Sequence, residues 1–110
     1  KIRVADWGDW ERAFSGARLL VNTTSLGMTG KPPLDISLAA LPREACIADI
    51  VYNPLETELL RQGRLRGHRT MDGLGMLMHQ AAPAFALWFG VRPCVTPELR
   101  AELENVLSRA

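Results

Sequence analysis

The chain has 110 residues, 47% hydrophobic and 23% charged, with a net charge of +1. That length is the size of one compact domain with a single core. The near-neutral balance and dispersed basic residues exclude an electrostatic nucleic-acid or membrane-surface partner, and no apolar run reaches the roughly 18 residues of a membrane span.

The chain opens at Lys1 directly on apolar residues, with no signal-peptide pattern, so a cytoplasmic segment of a longer chain is expected. Ile2 to Ala5 reads as a short strand. Asp9 is placed to cap a helix carrying Trp10, Ala13 and Phe14 at helical spacing. Ala17 to Asn22 is a short apolar run, the pattern of a buried strand. The stretch TTSLGMTGKPP that follows is a loop by its glycines, prolines and hydroxyls. Leu38 to Leu41 reads as a brief helical turn stopped by Pro42. Ala45 to Tyr52 (ACIADIVY) is the clearest strand, broken by Asn53-Pro54. Thr57 to Leu65 reads as a helix with Leu59 and Leu60 inward and Gly67 as its stop. His68 to Met71 is a short strand, and Gly73 to Phe89 is the main helix. Thr96 caps a last helix that begins with Pro97 and carries Leu99, Leu103, Val106 and Leu107 on one stripe. Cys46 and Cys94 lack any metal or redox spacing and read as two buried thiols in a reducing compartment.

Strands alternate with helices and no hairpin signal is present, which specifies an α/β fold with a parallel sheet. Ligands of such sheets bind beyond the carboxyl ends of the strands, so function is sought just after Val21, Val51 and Thr70. Asn22, Thr23 and Ser25 put short polar side chains at the first of these ends, where they either approach a ligand or cap a turn. Gly27 lets that loop turn sharply. Ile50 and Tyr52 are two apart and point to one side of their strand. A tyrosine there offers an apolar ring and a polar tip to a ligand, or simply packs. Gly73, Met76 and Gln80 share one face of the main helix, and Leu74, Leu77, Met78 and Ala81 share its core stripe. Met76 either fills core space or faces a ligand, and the Gln80 amide both donates and accepts. His79 and His68 have no partner at ligand spacing and read as surface or packing residues. Pro83 either kinks the main helix or splits it.

The segments NTTSLGM (Asn22 to Met28), DIVYNP (Asp49 to Pro54), DGLGMLMHQ (Asp72 to Gln80) and AFALWFG (Ala84 to Gly90), in this order, resemble the C-terminal end of the shikimate dehydrogenase family. The likeness runs from about Val4 to Leu107. It implies half of a doubly wound, Rossmann-like parallel sheet with terminal helices, in a parent enzyme that reduces 3-dehydroshikimate to shikimate with NADPH in aromatic amino-acid biosynthesis. By the same resemblance Asn22, Thr23 and Ser25 lie against the dinucleotide, and Ile50 packs near the nicotinamide. Gly73 meets the nicotinamide through its backbone and leaves room for it, with Met76 completing that wall. Tyr52 and Gln80 serve the substrate. No catalytic or metal-binding residue is assigned to this chain.

The third glycine of a phosphate-binding turn is missing after Gly73-Leu74-Gly75, where Met78 stands instead. The family's Gly-rich loop, its 2′-phosphate contacts and its substrate domain with the proton-transferring Lys and Asp are therefore expected to precede Lys1. The 110 residues would form one domain, the C-terminal part of the NADP-binding domain with its closing helices, inactive by itself. Its expected partners are shikimate or 3-dehydroshikimate and either the N-terminal half or a second copy in a homodimer, with no nucleic acid and no membrane. The alternatives are a quinate/shikimate dehydrogenase using NAD, and a non-catalytic interaction or folding module that keeps the family's packing.

Overall fold

The computed structural model describes residues 1–109. Helix α1 (Trp10–Phe14) leads to strand β1 (Leu19–Asn22), then β2 (Cys46–Asp49), helix α2 (Glu58–Leu65), β3 (Thr70–Met71) and the helices α3 (Gly73–Phe89) and α4 (Pro97–Arg109). The strands form one parallel sheet in the order β1-β2-β3. This is the expected α/β arrangement.

Register sets the two faces of the sheet. Leu20 lies opposite Ile47, and Ile47 opposite Thr70. That face is covered by α2, and the core forms there from Phe14, Leu38, Leu41, Ala45, Ile47, Leu59 and Leu60. The other face carries Leu19, Val21 and Met71, all exposed. β1 is therefore covered on one side only, not buried as its apolar run suggests. Strand pairing is non-local, which also explains why Ile2–Ala5 is not a strand: Ile2 and Val4 are exposed and the outer edge of β1 is unpaired among the described residues.

Side chains cap three helix starts, of which Thr96 is the one expected from the sequence. Thr57 Oγ1 accepts from the Leu60 amide (3.3 Å), Asp72 Oδ1 from the Leu74 amide (3.1 Å) and Thr96 Oγ1 from the Leu99 amide (3.1 Å). At α1, Asp9 occupies the cap position without a side-chain bond. Helix α3 runs unbroken through Pro83. Its buried stripe is Leu74, Met78 and Ala82, each four residues from the next. Leu77 and Ala81 belong instead to an apolar groove of about 360 Å³ whose far side is Leu99 and Leu103 of α4. No residue of α4 is buried, and Val106 is exposed. Arg100 ties α4 to the start of α3, its Nη2 donating to Asp72 Oδ2 at 2.7 Å, and this bond raises its pKa further. Cys46 is half-buried and Cys94 exposed, so neither is the buried thiol expected. His79 is exposed, whereas His68 is buried with Nδ1 2.9 Å from the Ala45 carbonyl oxygen, a packing role.

On the exposed side of α2, Arg61 Nε donates to Glu58 Oε2 at 2.7 Å and Gln62 Nε2 to Oε1 at 3.0 Å. The Arg61 bond, then the Gln62 bond, lowers the Glu58 pKa from 4.5 to about 2. A carboxyl whose folded pKa is depressed stabilises the fold above its unfolded pKa, and that contribution is lost as pH falls from there toward 2. At a fully exposed pair the effect on stability is small. An NMR titration should find Glu58 titrating below the ordinary glutamate range and moving back toward it in Arg61→Met. A midpoint that ignores the substitution would mean the pair does not form in solution.

Candidate functional site

Parity in the sheet places two polar side chains side by side at its carboxyl edge. Asn22 ends β1 and Asp49 ends β2, and the register sets them opposite each other. Both are buried, at 5% and 2% exposure. Buried polar groups need partners, and each of these has a full set. Asp49 Oδ1 accepts from Asn22 Nδ2 (3.1 Å) and from the Val51 amide (2.9 Å), and Oδ2 accepts from Thr57 Oγ1 (2.8 Å). Asn22 Nδ2 also donates to the Leu26 carbonyl (3.1 Å). Its Oδ1 accepts from the Thr24 amide (3.0 Å) and the Thr24 hydroxyl (2.7 Å). The Leu26 amide closes the loop onto Thr24 Oγ1 at 3.1 Å.

Strand β2 stops at Asp49, three residues before the expected Tyr52, because its own side chain captures the Val51 amide and bends the chain. The last ladder bond runs from the Ile50 amide to the Asn22 carbonyl at 3.1 Å. Ile50 and Tyr52 consequently lie on the segment beyond the strand. Gly27, at φ +88°, turns the opposing loop in the left-handed region that glycine adopts without strain. At the rim, Thr29 donates its amide to the Asn53 carbonyl at 2.9 Å, joining loop to segment.

Between them lies a cleft of about 460 Å³, lined by Thr23, Ser25, Ile50, Tyr52 and Met76 and also by Thr24, Met28, Thr29, Val51 and Asn53. The size suits a small-molecule or cofactor site. One wall carries hydroxyls, and the other is apolar with the Tyr52 phenol at its edge. Five of the eight residues singled out in the sequence thus meet in one place. Asn22 lies beneath the cleft with its amide fully used. Gln80 is exposed on α3, four residues past Met76, and does not line the cleft.

Gly73 is buried behind Ile50. A Cβ there would point at the Ile50 and Val51 carbonyls, 2.6 Å from the Val51 oxygen. Its missing side chain therefore lets α3 press against the end of β2; the room is taken by backbone. Sequence reasoning passed over the Asp49–Thr57 contact and the Arg100–Asp72 pair. The first carried a signal, a carboxylate inside the apolar run ACIADIVY, which is costly unless bonded. The second joins residues 28 apart and carried none.

A family model described as the shikimate 5′-dehydrogenase C-terminal domain matches residues 73–95. Shikimate dehydrogenase (NADP(+)) of Methylocella silvestris is 60% identical over 108 residues, covering 98% of this chain and 39% of that protein. Its counterpart from Nitrobacter winogradskyi is 70% identical over 100 residues, covering 91% and 36%. The chain thus spans under two fifths of the length of these relatives. Among solved structures, quinate dehydrogenase from Corynebacterium glutamicum in complex with NAD superposes with a TM-score of 0.73 at 31% identity, covering 93% of this chain and 34% of that one. Shikimate 5-dehydrogenase from Thermus thermophilus in complex with NADP(H) and shikimate gives 0.71 at 33% identity, covering 90% and 36%. Sequence and fold agree that the chain belongs to the shikimate dehydrogenase family, as the counterpart of the C-terminal portion of its members.

Proposed function

We propose that this chain builds the nicotinamide-side wall of an NADP-dependent shikimate dehydrogenase, an enzyme that reduces 3-dehydroshikimate to shikimate. The observation that carries the reading is the convergence of Thr23, Ser25, Ile50, Tyr52 and Met76, drawn from three strand ends, on one cleft. The chain around that cleft is 60% and 70% identical to two relatives named shikimate dehydrogenase (NADP(+)).

The residues fit the nicotinamide end of a dinucleotide. Ile50 and Met76 offer an apolar wall for a flat ring, and Gly73 holds the start of α3 close enough for Met76 to complete it. Thr23 and Ser25 present hydroxyls to a ribose, over a loop whose shape Asn22 sets from below. Tyr52, 38% exposed at the cleft edge, directs its phenol to the substrate, and the exposed amide of Gln80 extends that contact along α3. NADP, when bound, supplies or accepts the hydride. The phosphate grip and the proton donor required for turnover are assigned to the rest of the enzyme. By this reading residues 1–110 are one part of its NADP-binding domain, inactive without the preceding half, with which it or a second copy associates. The setting is the cytoplasm; no helix among the described residues is long and apolar enough to cross a membrane.

In the complete enzyme, Tyr52→Phe removes one hydrogen bond and keeps the ring. The KM for shikimate should rise by up to about tenfold, the worth of a neutral hydrogen bond of ~0.5–1.5 kcal/mol, while NADP affinity stays unchanged. A complete enzyme that fails to reduce 3-dehydroshikimate with NADPH would overturn the reading. The second reading, quinate oxidation with NAD, is favoured by the superposition on the Corynebacterium glutamicum enzyme. That likeness stands at 31% identity against 60% and 70% for the shikimate relatives. Comparing kcat/KM for shikimate with NADP against quinate with NAD decides between them.

A further inference from the structure

The buried carboxyl of Asp49 has no part in the function proposed above, yet its bonds connect to the segments of both cleft walls and to the start of α2. Through Asn22 Nδ2 it holds the end of β1 and the Thr23–Ser25 loop, and through the Val51 amide it holds the Ile50–Tyr52 segment. Through Thr57 Oγ1 it holds the start of α2. Two of its three bonds therefore fix the cleft and one fixes the fold.

We propose that Asp49 is a positioning residue for dinucleotide binding: it fixes the separation of the two cleft walls before the cofactor arrives, acting through Asn22 and the Val51 amide. The proposal rests on the reading that this cleft receives the nicotinamide end of NADP. A site whose walls are already in place loses less conformational freedom on binding, so affinity depends on the bonds that hold the walls apart. Asn22 is the relay. Its four bonds shape the loop from Asn22 to Leu26, and the bond to Asp49 is the only one of them that reaches the second wall.

The bonding pattern separates this role from a purely structural one. Thr57→Val removes the third bond and the cap of α2, so it should lower the melting temperature and leave NADP affinity alone. Asn22→Ala cuts the relay. Asp49→Ala cuts everything, whereas Asp49→Asn keeps the shape, retains an acceptor for both wall donors and turns an amide toward Thr57 Oγ1, which can accept.

The complete enzyme is titrated with NADP by fluorescence, well below each variant's melting temperature. Asn22→Ala and Asp49→Ala should each weaken NADP about tenfold, the size of one lost hydrogen bond, and the double variant should lose less than the two losses combined because both cut the Asn22–Asp49 bond. Asp49→Asn should restore affinity. Hydrogen exchange of the Thr24, Leu26 and Val51 amides is followed in parallel without cofactor. It should speed up in Asn22→Ala at Thr24 and Leu26 and in Asp49→Ala at all three, but not in Thr57→Val.

Wild-type affinity in Asn22→Ala, or an equal loss in Thr57→Val, overturns the proposal, and neither variant requires Asp49→Ala to fold. Fully additive losses overturn it too, since they would mean that the Asn22–Asp49 bond does not link the two side chains in binding. If the wild-type enzyme binds no NADP, the proposed function falls. The exchange rates then still decide whether Asp49 holds both walls.

Discussion

Gly73→Ala is expected to pry the start of α3 away from the end of β2, costing both stability and the apolar wall of the cleft. The added Cβ would stand 2.6 Å from the Val51 carbonyl oxygen, with the Ile50 carbonyl beside it. Both obstacles are backbone, held by the strand ladder and by the Asp49 carboxyl, so neither swings aside as a side chain would. Alanine gains at most about 1 kcal/mol of helix propensity over glycine. Overpacking of this kind costs ~1–3 kcal/mol or more, and the clash with two successive carbonyls puts it at the upper end. The net expectation is a loss of about 2 kcal/mol, or a fall in melting temperature of order 10 °C, with weaker NADP binding as Met76 moves. Gly75 supplies the control on the same helix. A Cβ there meets nothing within 4 Å, so Gly75→Ala should leave the melting temperature unchanged or raise it. A Gly73→Ala variant as stable as wild type would show that α3 does not start against β2.

Leu74→Ala should be the most damaging truncation on α3. Leu74 is 1% exposed and heads the buried stripe that continues through Met78 and Ala82. Removing such a side chain leaves a cavity and costs ~2–5 kcal/mol. Gln80→Ala, on an exposed position, should fall within about 0.5 kcal/mol of wild type. Leu77→Ala should lie between them, because Leu77 is half-buried in the groove against α4 and its loss is felt where α4 docks. Thermal melts of the three variants give the order directly. Similar losses for Leu74→Ala and Gln80→Ala would mean that the helix presents different faces from those described.

The candidate site was legible in the residues that carry polar or flexible chemistry at strand ends. Thr23, Ser25, Ile50, Tyr52 and Met76 all come from segments singled out because ligands of parallel sheets bind there, and they meet in one cleft. Gln80 shares the helical face of Met76 yet stands outside that lining, since one more turn carries it past the cleft's end. Asn22 was singled out for the same reason as Thr23. It proves to be buried, with its amide consumed by Asp49, Leu26 and Thr24, because residues alternate faces along a strand and the position facing the core also faces the Asp49 carboxyl.

What the sequence determined by itself is what depends on near neighbours in the chain. The bounds of α3 and the cap at Thr96 follow from interactions a few residues long, and the α/β class was legible from the succession of apolar strands and helices, although no helix separates β1 from β2. What only the tertiary structure decided depends on partners far away in sequence. Ile2–Ala5 has the composition of a strand but pairs with none among the described residues. Leu77 and Ala81 fit the core stripe by spacing, but α4 takes that side of the helix and leaves Leu74, Met78 and Ala82 inside. Asp49 was read only as part of the apolar strand, and the register sets it beside Asn22, 27 residues away. Gly73 looked like open space until the chain ends of β2 were folded against it. Helix propensity and capping act within one or two turns, whereas pairing register and close packing exist only once distant segments meet.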